Sequence, residues 1–229
     1  MGTTAIVAGG TGLVGRELIR LLQEDAQYDK IIALVRRDIQ VRHLRGSEKL
    51  VQVKTDYSQL DADLGPSVIA AMAGAHVFCA LGTTIKKAGS QEQFRKVDFE
   101  YPMKLGEIAG KGKASVFAIV TAMGASSASS IFYNRVKGDV EQGLRSLNLR
   151  SLYMLRPSLI LGDRDEVRVS DQLGSIFSRV VSPLMIGGLR KYRPIQASKI
   201  AAGLIACAQT GEAGAHVILS DRIAELADK

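Results

Sequence analysis

The chain has 229 residues, which suits one sizeable domain or one domain with a small appended subregion. Its 46% hydrophobic and 23% charged content excludes a disordered or fibrous chain, and no apolar stretch approaches the ~20 residues that span a bilayer. The formal net charge of +7 is dispersed except for one cluster, Arg36, Arg37, Arg42 and Arg45; a basic balance suits nucleic acid, an anionic surface or an anionic ligand, and with no nucleic-acid module present, nucleic acid is not expected.

In chain order, Ala5–Ala8 reads as a buried strand and Leu13 to about Gln23 as a helix. Further strands are predicted at Ile31–Val35, Leu50–Lys54, His76–Leu81, Val116–Thr121 and Leu152–Leu155. Helical patterns fall around Ser67–Ala73, Gln91–Ala109 and Ile131–Leu147. Continuous apolar strands interleaved with helices imply an α/β fold with a doubly wound, mostly parallel sheet covered on both faces. After Arg156 the pattern changes. Leu161 to Tyr192 mixes charges, glycines and isolated apolar residues such as Phe177, Leu184, Met185 and Ile186. A short strand at Arg193–Gln196, a helix at Ser198–Ala208 and a strand at His216–Leu219 follow. The expected organisation is a single α/β domain over 1–229, in which 160–229 is a C-terminal, substrate-side elaboration and not an independent domain.

Cys79 and Cys207 lie too far apart in sequence to read as a disulfide framework, and His43, His76 and His216 show no metal-ligand spacing, so no metal is expected. Thr3–Ala8 runs straight into a glycine loop with no basic lead or cleavage pattern, and a cytoplasmic location is expected.

The loop Gly9-Gly10-Thr11-Gly12-Leu13-Val14-Gly15 follows a strand and opens a helix. Gly9 permits the tight turn, Gly12 lets the backbone approach a pyrophosphate, and Gly15 lets the helix pack close to the strand. The pyrophosphate then meets unpaired N–H groups and the positive end of the helix dipole. The plain alternative is a glycine-rich turn. At the tip of the second strand an NAD enzyme places Asp or Glu on the ribose 2′-OH. Here Arg36 and Arg37 stand instead, and guanidinium pairs with a 2′-phosphate, so NADP(H) is preferred over NAD(H), with the nearby Asp38 as the opposing sign. Asp56, after the third strand, is either an acceptor for the adenine amino group or a helix cap. Leu81, Gly82 and Thr83 end the fourth strand at the sheet's carboxyl edge, where ligands bind in such folds.

Tyr133 and Lys137, four apart in a helical segment, share one face. An ammonium beside a phenol favours the phenolate and brings it toward working pH as an acid–base group. Thr121 ends the preceding strand, where its hydroxyl is expected to hold a substrate oxygen, with Ser126 and Ser127 as nearby alternatives. The bland reading of the pair is a core aromatic and a solvated lysine.

The stretches GGTGLVG, VFCALGTTIKKAGSQEQFRKVDFEYP, VTAMGASSASSIFYNRVKGDVE and LRPSLILGDR cover most of residues 1–170. Together they resemble the atypical short-chain dehydrogenases/reductases related to Tat-interacting protein 2. The resemblance implies a Rossmann fold, NADP(H) binding and a Ser/Thr–Tyr–Lys arrangement. Carried over, Tyr133 is the acid–base, Lys137 holds the nicotinamide ribose, and Thr121 stands where serine is usual. It also implies that Arg156, Pro157 and Ser158 line the nicotinamide side; from the residues alone, Arg156 caps a strand end. The first expectation is therefore an NADP(H)-dependent oxidoreductase acting on a small carbonyl or alcohol. The second is an NADP(H)-binding regulator or redox sensor, with residues 162–192 contacting a protein partner. Nothing after Leu161 names a substrate class, since Arg164 and Arg168 suit either an anion or water.

Overall fold

The computed structural model describes residues 2–39, 46–162 and 187–228. Arg42, His43 and Arg45, together with Arg164, Arg168 and the apolar residues expected at 177 and 184–186, lie outside the described residues. Seven strands form one sheet: β1 (Thr3–Ala8), β2 (Tyr28–Val35), β3 (Leu50–Lys54), β4 (His76–Cys79), β5 (Val116–Val120), β6 (Ser151–Arg156) and, last in the chain, β9 (Gly214–Leu219). Their order is β3-β2-β1-β4-β5-β6-β9, and every neighbouring pair is parallel. Two short strands, β7 (Ile160–Leu161) and β8 (Ile195–Gln196), pair separately in parallel.

The continuous apolar runs are explained by burial on both faces. In β1, Ala5 and Val7 point into one core while Ile6 and Ala8 point into the other. The first core is covered by α1 (Leu13–Glu24). The second is covered by α2 (Tyr101–Lys111) and α3 (Phe132–Ser146), together with the turns Leu60–Asp63 and Pro66–Ala70. Helix α4 (Ala197–Thr210) packs against α1, and α5 (Ser220–Ala227) packs against α4. These two helices and β9 complete the layers over the first core.

The strand order reverses between β1 and β4, so the connections leaving these strands diverge and open a crevice at their carboxyl ends. One helix near that crevice is irregular. Gln91–Arg95 is α-helical, Lys96–Glu100 makes a π turn, and α2 continues from Tyr101. Single π turns inside α-helices concentrate at functional sites.

Candidate functional site

The glycine loop is shaped by backbone crowding. Gly9 has φ +87°, and a Cβ there would stand 2.5 Å from the Ala80 carbonyl. A Cβ on Gly15 would meet the Gly9 carbonyl oxygen at 2.1 Å. These two glycines fix the turn and the close seat of α1. Gly12 differs: its nearest obstacle to a Cβ is the Gly9 oxygen at 3.3 Å. It is also the N-cap of α1 and provides no side-chain acceptor for the first-turn N–H groups. An acceptor from outside the chain is what this end of the helix lacks.

Beside this loop lies a cleft of about 530 Å³. Thr11 to Val14 and Arg16 form one wall, and Ala80 to Thr84 the other. Thr121, Tyr133, Lys137 and Asp98 close its inner end, with Lys87 and Ile160 also on the rim. Ten of the sequence-predicted residues therefore meet here: Thr11, Gly12, Leu13, Val14, Leu81, Gly82, Thr83, Thr121, Tyr133 and Lys137. Gly9 and Gly15 support the cleft without lining it. Arg36 and Arg37 stand exposed just past β2, and Asp56 stands exposed past β3, all three outside the lining.

Tyr133 and Lys137 project from α3 at four-residue spacing, and the Tyr133 ring rests against Phe94 at 5.6 Å and 48°. Lys137 is only 4% exposed and pairs with Asp98 at 2.7 Å. Burial by itself would push the Lys137 ammonium down. The Asp98 carboxylate, joined by smaller pushes from the Tyr133 phenol and the Cys79 thiol, offsets that and holds it above the ordinary lysine value. Asp98 comes from the π turn, and its second oxygen accepts the Thr83 N–H at 2.9 Å. The ion pair lies under Gly82, where a Cβ would stand 3.5 Å from Asp98 Oδ1 and 3.9 Å from Lys137 Nζ.

Thr121 lines the cleft, and its hydroxyl is bonded within the protein. Its hydroxyl has one proton, and the acceptors in reach are Glu141 Oε1 at 2.6 Å and the Leu155 carbonyl at 3.2 Å. In the ligand-free structure that proton is engaged inside the protein. Glu141, one further turn along α3 from Lys137, also takes a two-pronged bond from Arg156, whose Nε and Nη2 donate at 3.0 and 2.5 Å. Arg156 thus ties the end of β6 to α3 and does not reach the cleft lining. Pro157 accepts the Met123 N–H at 3.0 Å, and the Ser158 hydroxyl donates to the Arg193 carbonyl and accepts from Ser220 at 3.1 Å.

Asp98 and Glu141 were missed by sequence reasoning. Glu141 had a legible signal, since Tyr133, Lys137 and Glu141 repeat at four-residue spacing along one helix face. Asp98 had none, because a carboxylate between Val97 and Phe99 reads as an exposed helix position.

The tip of β2 is held in place. Gln52 on β3 accepts the Ile39 N–H at 2.6 Å and donates to the Ile39 carbonyl at 3.0 Å, clamping the segment that carries Arg36 and Arg37. Asp38 pairs with Lys54 at 3.1 Å. Asp56 Oδ1 accepts from Ser58 N, Ser58 Oγ and Gln59 N, and these bonds, led by the Ser58 hydroxyl, lower its pKa. Asp56 therefore caps the following turn through Oδ1.

No family model matches the chain. Among curated proteins it is 34% identical over 161 residues to the mitochondrial protein FMP52 of Eremothecium gossypii, covering 70% of this chain and 68% of that protein. It is 30% identical over 174 residues to HTATIP2 of Rattus norvegicus, covering 76% and 69%. Among solved structures, MoeE5 in complex with UDP-glucose and NAD superposes with a TM-score of 0.68 at 14% identity, over 94% of this chain and 75% of that one. That likeness establishes the Rossmann-like α/β fold. The expectation of a cytoplasmic location is overturned by the FMP52 relatives, which are mitochondrial by name. The opening segment Thr3–Ala8 is a core strand and carries no information on compartment.

Proposed function

The chain belongs to the family of FMP52 and HTATIP2, Rossmann-fold relatives of the short-chain dehydrogenases/reductases, and from that premise we propose that it is an NADP(H)-dependent oxidoreductase of a small carbonyl or alcohol. The observation that carries the reading is one cleft that joins the open cradle at Gly12 to Tyr133 and Lys137. A dinucleotide fits the residues present: the uncapped first turn of α1 accepts a pyrophosphate, and Arg36 and Arg37 hold a 2′-phosphate. When bound, the cofactor supplies the hydride chemistry.

The chain's own residues do the rest. Tyr133 holds the substrate oxygen through its hydroxyl and delivers the phenolic proton to it in the reducing direction. Lys137, kept cationic by Asp98, stabilises the phenolate left behind and offers an N–H to a ribose hydroxyl. Asp98 fixes the direction of that ammonium. Thr121 acts indirectly, by locking Glu141 and the ends of β5 and β6 against α3. NADPH oxidation followed across a panel of aldehydes and ketones tests this proposal, and turnover of at least one of them is the expected result.

A second reading, an NADP(H)-binding regulator, draws on one specific observation. The Thr121 proton is committed to Glu141 or Leu155, which leaves the substrate oxygen with one fewer donor than a Thr–Tyr–Lys arrangement implies. Dinucleotide binding with no turnover of any carbonyl in the panel would favour it.

Cofactor choice has its own test. Asp38 is occupied by Lys54, so the field at the tip of β2 is set by Arg36 and Arg37. NADPH is expected to bind more tightly than NADH. Replacing both arginines by Gln should remove most of the difference, since each charge-assisted contact is worth roughly 1.5–3 kcal/mol, or about 10–100-fold. Titration of both dinucleotides against wild type and variant reads this directly; equal affinities in the wild type would refute it.

A further inference from the structure

Just past β3 the backbone takes a turn that bulky side chains avoid. Tyr57 has φ +63°, in the left-handed region. The turn is pinned on its near side, where Thr55 Oγ1 accepts the Tyr57 N–H at 3.1 Å and donates to Asp63 at 2.8 Å. It drives the Tyr57 ring inward to 4% exposure, where it stacks on Tyr101 at 5.7 Å and 25°.

The destination of the hydroxyl is what matters. It donates to the Leu34 carbonyl at 2.5 Å and accepts the Gly9 N–H at 3.3 Å. Leu34 lies two residues before Arg36 on β2, and Gly9 is the first glycine of the loop. One buried phenol thus bridges the strand tip that carries the arginines and the loop that cradles the pyrophosphate. No backbone ladder makes this link, since β1 and β2 stop pairing at Ala8 and Leu34. Burial raises the phenol above its ordinary pKa, so the donor stays protonated at any working pH.

We propose that Tyr57 is a positioning residue of the dinucleotide site, which sets the glycine loop and the tip of β2 in their binding geometry before the ligand arrives. Preorganisation of this kind raises affinity by removing the cost of ordering the loop on binding. The proposal rests on the dinucleotide reading above, and its test is arranged to separate the two.

The test compares Tyr57→Phe with Tyr28→Phe. The second variant removes another buried tyrosine hydroxyl, bonded to His76 Nδ1 at 2.9 Å, at the opposite end of β2 from the cleft. Each keeps its ring and loses one hydroxyl, so both should melt somewhat below wild type. In the ligand-free chain, amide hydrogen exchange at Gly9 and Gly10 should accelerate in Tyr57→Phe and stay at the wild-type rate in Tyr28→Phe. The Kd for NADPH should rise about 3–10-fold in Tyr57→Phe alone, the scale of one hydrogen bond. Unchanged exchange at Gly9 in Tyr57→Phe, or an equal loss of affinity in both variants, would overturn the proposal. A wild type that binds no dinucleotide would refute the dinucleotide reading instead, while the exchange rates would still report whether Tyr57 holds the loop.

Discussion

Tyr133→Phe is expected to lower turnover by roughly 10²–10⁴-fold, the usual cost of removing a general acid, while dinucleotide affinity stays near that of the wild type. The substitution is mild for the fold. The ring keeps its place against Phe94 at 5.6 Å and against the rest of α3, and only the phenolic oxygen is lost. What disappears is the proton donor at the inner end of the cleft. Steady-state kinetics on any carbonyl found in the panel, paired with NADPH titration, separates the two effects. A variant that turned over like the wild type would remove Tyr133 from the chemistry and leave the regulatory reading as the better one.

Asp98→Ala should produce the largest loss of stability of any change at the site. Lys137 and Asp98 are both almost fully buried, with side chains 5% and 1% exposed at 2.7 Å. Removing one partner leaves an uncompensated buried ammonium, which costs about 3–5 kcal/mol and lowers Tm by roughly 6–20 °C in a protein of this size. The Thr83 N–H also loses its acceptor. Asp98→Asn retains that acceptor but not the charge, and its loss should be intermediate. The sign of the pH dependence follows from the raised pKa of Lys137. The contribution of the pair is whole below the ordinary lysine value of about 10.4 and is lost as the pH rises through the folded-state value. Thermal melts from neutral to alkaline pH should therefore show the gap between wild type and Asp98→Ala holding steady and then closing. A neutral-pH Tm for Asp98→Ala within a degree or two of the wild type would show that the pair does not hold the site together.

The fold was largely legible in the sequence because a parallel sheet buried on both faces writes itself as unbroken apolar runs. Leu50–Lys54 was read residue for residue, and Leu13 to about Gln23 and Ile131–Leu147 lie within a residue of α1 and α3 at each end. The predicted strand at His76–Leu81 ends early, at Cys79; the Ala80 N–H still donates to the Ala8 carbonyl, and Ala80 and Leu81 form a wall of the cleft. Helix α5 and the short β7 went unseen. The first follows a strand with no break in between, and the second pairs two residues across more than thirty of sequence. At the site, the glycine spacing and the Tyr133–Lys137 pair are local patterns and were visible as such. Asp98, Glu141 and Tyr57 were not identified, since their roles come from partners 39, 20 and 48 positions away, at Lys137, Thr121 and Gly9. Periodicity reports which face a residue occupies; it carries no information on which distant group it meets.

The seat of α4 on α1 bears on how the chain is made. Leu18, Ile19 and Leu22 of α1 share one core with Ile200, Leu204 and Ile205 of α4. During synthesis the first helix therefore emerges long before the helix that covers it, and its apolar stripe waits for a partner made much later in the sequence. A chain stopped before Ala197 should hold the sheet's early strands together yet present α1 to solvent and to other chains, and limited proteolysis should cut that truncated form within Leu13–Glu24 while sparing the same bonds in the 229-residue chain. Closure by α4 makes the arrival of a distant, later-made segment the event that covers α1.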